Sequence, residues 1–300
     1  MKYFKTTRKS AKNAIVDTFL YILLAIISII WVFPFVYLIL CSLREEPGMV
    51  SYLLPKKWTF DNFIYLFSGQ DAQLFGTSIK ISSFVSWYLN TLVIAIVVSI
   101  INTLITLLTA YALSRMRFKG RQGLMRFMLI LGMFPGFLGM ICIYYILNAM
   151  GMIGSSMSIV GLMLVYISGS MMGYYVSKGF FDTISKSLDE AAMIDGASRA
   201  KIFFSIILPL SKPIIIQTLL GAFTAPWGDY MMASYIVGRG GTSFKTVAIG
   251  LFEWVDATHI SEYFTKFCAG GVVVSILPIV MFFFMQRYYV GGVTGGSVKG

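Results

Sequence analysis

The sequence is short of charge. Only 12% of its 300 residues are Asp, Glu, Lys or Arg, whereas 57% are hydrophobic. Soluble domains carry about 25% charged residues. A soluble fold of this length has no interior large enough to hide so much apolar surface, so most of the chain is predicted to lie in a lipid bilayer, which removes that need.

Chemically reactive side chains are also scarce. There is one histidine, His259, and there are three cysteines, Cys41, Cys142 and Cys268, with no CxxC spacing. A single His in a polar loop does not make a metal site, and no nucleophile and base surround it. The thiols lie in or beside apolar stretches and are expected to be buried and inert. We predict no catalytic residue and no metal, which argues against an intramembrane enzyme.

Acidic residues are fewer than basic ones, 13 against 24, which gives a net charge of +11. Such an excess can indicate nucleic-acid binding. Here, however, the basic residues lie in short segments between apolar runs, in 1–17 and at Arg115, Arg117, Lys119 and Arg121. Positive charge in short loops marks the cytoplasmic side of a membrane protein. We therefore expect no nucleic-acid partner.

Apolar stretches of about 20 residues, long enough to cross a bilayer, recur along the chain. We predict an all-α integral membrane protein with six transmembrane helices and both termini in the cytoplasm. The first apolar stretch is too long for a signal peptide. Pro135, Pro226 and Pro278 are expected to break three of the helices. The predicted spans are 18–42, 87–114, 124–149, 157–176, 213–237 and 264–290.

The cytoplasmic segment 182–211 differs from the other loops. Asp182 or Thr183 can cap a first short helix, Gly196 can end it in a left-handed turn, and Ser198 can cap a second helix. The segment is thus predicted to be two helices around a glycine, with apolar residues beside charges. Such an element suits a groove on a partner protein or the surface of the lipid, and composition alone does not separate the two.

The residues of this segment decide between them. Glu190-Ala191-Ala192, three residues, Gly196, nine residues, Ile206, one residue and Leu208-Pro209 follow one another. This pattern resembles the EAA loop of ABC-importer permeases, and it precedes the penultimate predicted span as it does in that family. The stretches 113–115, 118–120 and 291–300 also resemble the smaller permease of maltose and maltodextrin importers, the MalG type.

The resemblance implies a role for the loop and a set of partners. The resemblance implies a permease in the cytoplasmic membrane of a bacterial or archaeal cell. The span boundaries then give a cytoplasmic segment, 1–17, followed by the permease domain, 18–300. Its partners would be a second, different permease, two copies of a cytoplasmic ATPase that bind ATP and Mg, and an extracytoplasmic sugar-binding protein. The residues that would couple to the ATPase are Glu190, Ala191, Ala192, Asp195, Gly196, Leu208 and Pro209.

Two further sets of residues are candidates for function. The glycine-rich tail 291–300 is either a disordered terminus or, as the resemblance implies, a strip that enters the ATPase interface through Gly295, Gly296, Val298, Lys299 and Gly300. Asp229 lies deep in a predicted span beside Trp227 and Tyr230. Intramembrane acids face a cavity or a partner, so these three residues either line the sugar path or join helices.

Other transporter types fit less well. The loop 238–246 resembles a phosphate-binding loop, but Phe244 stands where a Walker A motif needs Gly, so ATP must bind to another chain. An ion-driven secondary transporter needs inverted repeats and paired intramembrane charges, and neither is evident. We predict a sugar importer for maltose or malto-oligosaccharides, with another oligosaccharide or glycoside, such as a galacto- or raffinose-type sugar, as the alternative.

Overall fold

The computed structural model describes residues 11–68, 71–74, 77–80, 82–169, 171–238 and 244–295. Helices make up nearly all of the regular structure. The helices are α1 (Ala11–Ser42), α2 (Asp61–Phe67), α3 (Ser83–Arg115), α4 (Arg121–Gly132), α5 (Gly136–Ala149), α6 (Ser158–Ser168), α7 (Met171–Thr183), α8 (Ser187–Ile194), α9 (Arg199–Ile202), α10 (Leu208–Leu210), α11 (Lys212–Gly228), α12 (Met231–Val237), α13 (Val247–Glu253) and α14 (Ile260–Gly295).

Two elements depart from regular α-helix. A π-helical turn, Phe203–Ile207, joins α9 to α10. Strands β1 (Asp71–Leu74) and β2 (Thr77–Lys80) form an antiparallel hairpin, with Asp71 opposite Lys80. The hairpin involves just eight residues in the connection before α3, and the rest of the regular structure is helical, as the all-α prediction states.

Four helical segments are long and apolar enough to cross a membrane: Val16–Ser42, Ser83–Arg115, Ser158–Thr183 and Ile260–Gln286. Two more candidates are bent pairs. α4 and α5 meet at 102°, and Arg199–Leu210 meets Lys212–Gly228 at 84°. The described residues therefore hold four straight candidate spans, or six if each bent pair counts as one.

The prolines act differently from the sequence prediction. Pro135 does separate α4 from α5. Pro226 lies inside α11, and the break comes at Asp229 and Tyr230. α14 runs without interruption through Pro278, so the predicted break there is wrong. Membrane helices tolerate proline because neighbouring groups satisfy the one carbonyl that it frees.

α3 lies at the centre of the fold. It packs against α11, α7, α6 and α13. Although it is apolar overall, it buries a series of polar side chains against these neighbours: Ser86, Asn90, Thr91, Ser99, Asn102, Thr103, Thr106 and Ser114. Buried polar groups need hydrogen-bond partners, and on α3 several of them find partners where a neighbouring helix begins or ends.

Two such contacts hold the broken elements in place. The Asn102 side-chain amide donates to the backbone oxygens of Tyr166 and Ile167, at 3.2 and 2.9 Å, near the end of α6. Carbonyls in the last turn of a helix lack partners within it. At the other end of α3, the Thr91 hydroxyl accepts a 2.8 Å bond from the backbone N–H of Val247, the first residue of α13.

Candidate coupling site and transport cavity

The segment 182–211 folds as two helices around a glycine, as its sequence predicts. α8 ends in a turn where Gly196 has φ of +78°. The backbone N–H of Ala197 donates to the oxygen of Ala192 at 2.9 Å, and that of Gly196 donates to Met193 at 3.1 Å. This pattern satisfies the carbonyls at the end of a helix through a left-handed residue. Ser198 then caps α9 by accepting from the Lys201 N–H.

The start of the first coupling helix was predicted incorrectly. α7 extends to Thr183, and α8 begins at Ser187 without a side-chain cap. Asp182 therefore caps nothing. It accepts a 2.6 Å hydrogen bond from the Ser114 hydroxyl and pairs with Lys178 one turn earlier on α7. The sequence did not show that Ser114 and Lys178 would bind the Asp182 carboxylate in place of the helix N-terminus.

The EAA residues divide between two faces of α8. Ala192 is buried in a cluster of apolar side chains at the end of α3, and Glu190, Ala191 and Asp195 are exposed. Ile194 is 87% exposed, which is unusual for a large apolar side chain. The cluster around Ala192 contains Leu107, Ala110, Tyr111, Phe181, Ile202, Phe203, Ile207 and Ile214.

The second half of the segment returns the chain toward α11. Leu208 is half-buried and packs against the cluster around Ala192. Pro209 is exposed in the first turn of α10, where its missing N–H costs no helical hydrogen bond. Of the seven predicted coupling residues, Leu208 and Ala192 thus anchor the element, and the others form its outer surface.

A buried ion pair locks α8 to α3. The Arg115 Nε atom lies 3.1 Å from Asp189 Oδ2, and the two side chains are only 3% and 12% exposed. Arg115 also donates to the backbone oxygen of Ile184 at 2.7 Å. Burying either charge alone would be costly, so the pair favours the contact of α8 with the end of α3. Sequence analysis missed Asp189, although its position directly before Glu190 could have drawn attention to it.

A cleft of about 320 Å³ opens beside this ion pair. Its lining includes two carboxylates, Asp189 and Glu190, and more cations than carboxylates. The cations are Arg115, Arg117, Arg121, Lys186 and Arg199. The predicted coupling surface therefore presents an exposed acid, Glu190, at the edge of a basic cleft, a charge pattern that a partner of complementary charge could match.

A larger cavity, about 520 Å³, lies among α3, α6, α7, α11 and α12. Asp229 is on its wall. One carboxylate oxygen accepts a 2.8 Å hydrogen bond from the Tyr166 hydroxyl, and the other caps α12 by accepting from the Met232 N–H at 3.0 Å. The other polar side chains on the wall were not predicted: Asn102, Ser177, Gln217 and Thr218.

A family comparison decides what kind of protein this is. Residues 102–293, more than half of the chain, match the family described as binding-protein-dependent transport system inner membrane component. The chain belongs to this family. The matched residues include the segment 182–211, all of α6, α7, α11 and α12, and α3 from Asn102 onward. The resemblance drawn from the EAA pattern is confirmed at the level of the family, and the permease is a multi-pass membrane protein rather than an enzyme.

The permease resembles several curated sequences over nearly its full length. It is 37% identical over 284 residues to the galactooligosaccharides transport system permease protein GanQ of Bacillus subtilis, with 94% of this chain and 95% of that one covered. It is 35% identical over 282 residues to the maltodextrin transport system permease protein MdxG of the same organism, with coverage of 93% and 95%.

A solved structure shares the fold. It is the crystal structure of a bacterial ABC transporter involved in the import of the acidic polysaccharide alginate, and one of its chains matches with a TM-score of 0.75. The match covers 95% of the permease and 99% of that chain, at 21% identity. The arrangement of broken helices around α3 is therefore a known permease architecture.

The three residues predicted to line a sugar path do not lie together. Only Asp229 is on the cavity wall. Trp227 is 6% exposed and packs edge-on against Tyr88, with ring centroids 5.0 Å apart. Tyr230 stacks on Phe252 at 3.8 Å. Neither ring is in the cavity lining: Trp227 is in α11 before the break, and Tyr230 lies at the break itself.

The other residues named from the sequence are those of the C-terminal tail and the three cysteines. Gly295 is the last residue of α14, and Gly296, Val298, Lys299 and Gly300 lie outside the described residues. Cys41 and Cys268 are buried, as predicted, but Cys142 is exposed on α5. Within the described residues, no three His, Cys, Asp or Glu side chains come together as metal ligands.

Proposed function

We propose that this permease is one of two different membrane subunits of an ATP-driven importer for oligosaccharides. The sequence prediction was maltose or malto-oligosaccharides. The similarity to GanQ supports galacto-oligosaccharides equally, because that relative is 37% identical and the maltodextrin relative is 35% identical. The proposed cargo is therefore a neutral oligosaccharide of the malto or galacto type, brought to the permease by an extracytoplasmic binding protein.

The observation that carries this proposal is the two-faced coupling helix. α8 is fixed to the end of α3 by Ala192 and by the Asp189–Arg115 pair, and its free face offers Glu190 and Ile194. A helix with an exposed apolar residue beside a charge suits a groove in a partner. The partner would be the ATPase, present in two copies, which binds ATP and Mg, and this chain would hold no cofactor.

α3 would carry the signal from that helix into the membrane. Movement of α8 would reach α3 through the buried ion pair, and Asn102 on α3 touches the cavity and the end of α6 together. A change in ATPase state can then bias the two arrangements of the cavity helices, provided that the two states bind the coupling helix differently. The tail 295–300 is proposed to enter the ATPase interface as a second contact.

The cavity fits a neutral cargo. Its wall carries amides, hydroxyls and one carboxylate, Asp229, which is already hydrogen-bonded to Tyr166. The second permease would close the open side, so that sugar passes between the two subunits. An ion-driven carrier would need paired charges at this depth, and the described lining offers no cation to pair with Asp229.

The proposed topology has six spans with both termini in the cytoplasm. The two bent helix pairs would each count as one span, and the basic segments 1–17 and 115–123 would lie inside. The hairpin β1–β2 and the loop between α12 and α14 would then lie outside, where a binding protein docks. The bilayer is thus the permanent partner of the chain.

Co-purification tests the proposal. The tagged chain is extracted from its own host in mild detergent, and the proteins that accompany it are identified by mass spectrometry. We expect a second permease and an ABC ATPase. The purified complex is then placed in liposomes with the binding protein, and ATP-dependent uptake of maltotriose and galactotriose is measured. A chain that purifies alone under gentle extraction, or a complete complex that takes up neither sugar, would contradict the proposal.

A further inference from the structure

A second pocket lies at the opposite end of α3 from the coupling helix. Its volume is about 240 Å³, and it is enclosed by α2, the start of α3, the end of α13 and the start of α14. We call it the outer aromatic pocket. Its lining consists of five aromatic rings, Tyr65, Phe84, Trp87, Trp254 and Tyr263, together with Leu66, Ser68, Ser82, Ser83, Glu253 and His259.

Trp254 is the central ring of this aromatic group and contacts Trp87, Tyr263 and Phe84. Its ring centroid is 5.2 Å from that of Trp87, and it stacks against Tyr263 at 6.0 Å and 21° and against Phe84 at 6.4 Å and 18°. Phe84 is fully buried beneath, whereas Trp87, Trp254 and Tyr263 are half-buried. The rings are thus held rigidly from behind and keep part of their surface open to the pocket.

The backbone is shaped to hold this arrangement. A Cβ atom at Gly250 would lie only 2.0 Å from the Trp87 ring. Only glycine at this position therefore lets α13 pack so closely against Trp87. Side chains in a lipid-facing aromatic belt point outward toward headgroups. Here the rings turn toward one another around a cavity, which favours a binding site over a belt.

The polar groups of the pocket are also held in position. Lys245 pairs with Glu253 at 2.7 Å, and Asp256 pairs with Nδ1 of His259 at 2.8 Å. Hydrogen bonds, first of all from the Thr258 hydroxyl, lower the pKa of Asp256 to about 2, so this carboxylate stays charged. Because Lys245 pairs with Glu253, the one carboxylate in the described lining, the pocket suits a neutral polar ligand better than an ion.

Size and chemistry point to a single sugar ring. Pockets for drug-sized ligands measure about 300–1,000 Å³, so this one takes a single ring rather than a chain of them. A pyranose has an apolar C–H face, which an indole covers, and a rim of hydroxyls, which carboxylate, imidazole and serine groups can bind. Few other neutral molecules have both features.

The pocket also lies on the side from which cargo arrives. α3 has 33 residues, which at about 1.5 Å per residue make a helix of roughly 50 Å. A whole bilayer measures about 40–45 Å. Phe84 and Trp87 in the first turns of α3 therefore lie across the membrane from Arg115, which holds the cytoplasmic coupling helix of the proposed topology.

We propose that the outer aromatic pocket is a subsite for one pyranose ring of the arriving oligosaccharide, with Trp254 as the stacking surface and Glu253 and His259 on the hydroxyl edge. This inference rests on the proposed function, because it concerns the same cargo. The subsite would hold the sugar at the outer mouth between its release by the binding protein and its entry into the cavity around Asp229.

The test uses the complete importer in nanodiscs and in liposomes. Saturation-transfer NMR measures binding of maltotriose and galactotriose without the binding protein, and uptake with the binding protein gives KM and kcat. Trp254→Ala removes the stacking surface, and Trp254→Phe keeps part of it. The matched control is Trp31→Ala, because Trp31 is 72% exposed on α1, far from the pocket. ATP hydrolysis without cargo checks that each complex is assembled.

We expect Trp254→Ala to weaken sugar binding and raise KM by about three- to tenfold, which corresponds to about 0.5–1.5 kcal/mol for a lost aromatic contact. Trp254→Phe should recover much of that loss, and Trp31→Ala should behave as wild type. Equal KM values for Trp254→Ala and Trp31→Ala, in a complex that transports, would overturn the subsite and leave the proposed function intact.

A third result would also overturn it. If Trp254→Ala weakens docking of the sugar-free binding protein while sugar binding in the nanodisc is unchanged, the pocket is a protein-docking surface. If the assembled wild-type complex takes up neither sugar, the proposed function fails first, and the subsite for that cargo fails with it. The wild-type uptake measurement therefore separates the two failures.

Discussion

At the scale of single residues, the Arg115–Asp189 pair is the contact on which the coupling site depends. Its side chains are 3% and 12% exposed, and it joins a transmembrane helix to a short helix that has no other polar anchor of this kind among the described residues. Exposed pairs are worth little, but removing one partner of a buried pair leaves an uncompensated charge. The pair therefore makes a specific prediction.

We expect Asp189→Asn to destabilise the permease by about 3–5 kcal/mol and to abolish sugar-dependent stimulation of ATP hydrolysis. Thermal unfolding of the purified complex and ATPase assays measure the two effects. Glu45→Gln is the matched control, since Glu45 is 52% exposed in its pair with Lys57. The double variant Asp189→Leu, Arg115→Met should regain stability without coupling. Wild-type stimulation in Asp189→Asn would remove the pair from the coupling path.

At the scale of elements, the turn between α8 and α9 depends on one glycine. Gly196 has φ of +78°, and its N–H donates to Met193. Proline cannot take that φ and has no N–H. We expect Gly196→Pro to reorient α9 and to stop uptake, and Glu190→Lys to stop uptake by reversing a charge on the free face of α8. Membrane extraction and transport assays should show both variants inserted but inactive.

The preceding helix offers a control glycine for these two variants. Gly179 lies in the preceding helix α7, and a Cβ added there would meet nothing within 4 Å. Gly179→Ala should therefore transport normally. Normal uptake by Gly196→Pro and Glu190→Lys together would refute the assignment of this segment as the coupling loop, whatever the family membership of the chain.

The helices and turns also show which structural features could be predicted from the sequence. The residue types of segment 182–211 predicted the turn at Gly196 and the cap at Ser198, because both depend on neighbours within a few residues. At the break after Asp229 the carboxylate accepts a hydrogen bond from Tyr166 on another helix, and α14 continues through Pro278 although proline removes one helical hydrogen bond. Patterns along the chain therefore predicted local turns and apolar lengths, but they could not predict long-range contacts such as that of Asn102 with the end of α6.

The candidate site shows the same difference between local motifs, which could be predicted, and long-range contacts, which could not. Ala192 and Glu190 were named because their motif is continuous in sequence. Asp229 was named, but the rest of the cavity wall was missed because its side chains come from five helices, and no motif in the sequence marks Ser177, Gln217 or Thr218. Trp227 stands two residues from Asp229, and closeness along the chain suggested a shared site that the break in the helix prevents.

At the scale of the whole molecule, the proposed importer would open its cavity to one side of the membrane at a time. Thr218 lines the cavity, and its hydroxyl bonds only within its own helix in the described structure, to Ile214 at 2.8 Å. Thr218→Cys should therefore cost little stability. In a background without Cys41, Cys142 and Cys268, it becomes a reporter of which side the cavity faces.

We expect a membrane-impermeant maleimide to reach Thr218→Cys from the cytoplasmic side when no nucleotide is bound. With ATP held unhydrolysed in the partner ATPase, labelling should come only from outside, because the bound nucleotide shifts the complex to its other state. Ile30 is 63% exposed on α1 and is predicted to face lipid. Ile30→Cys should therefore not be labelled from either side. Labelling of Thr218→Cys from both sides in one nucleotide state would mean an open pore, which no importer driven by ATP can sustain.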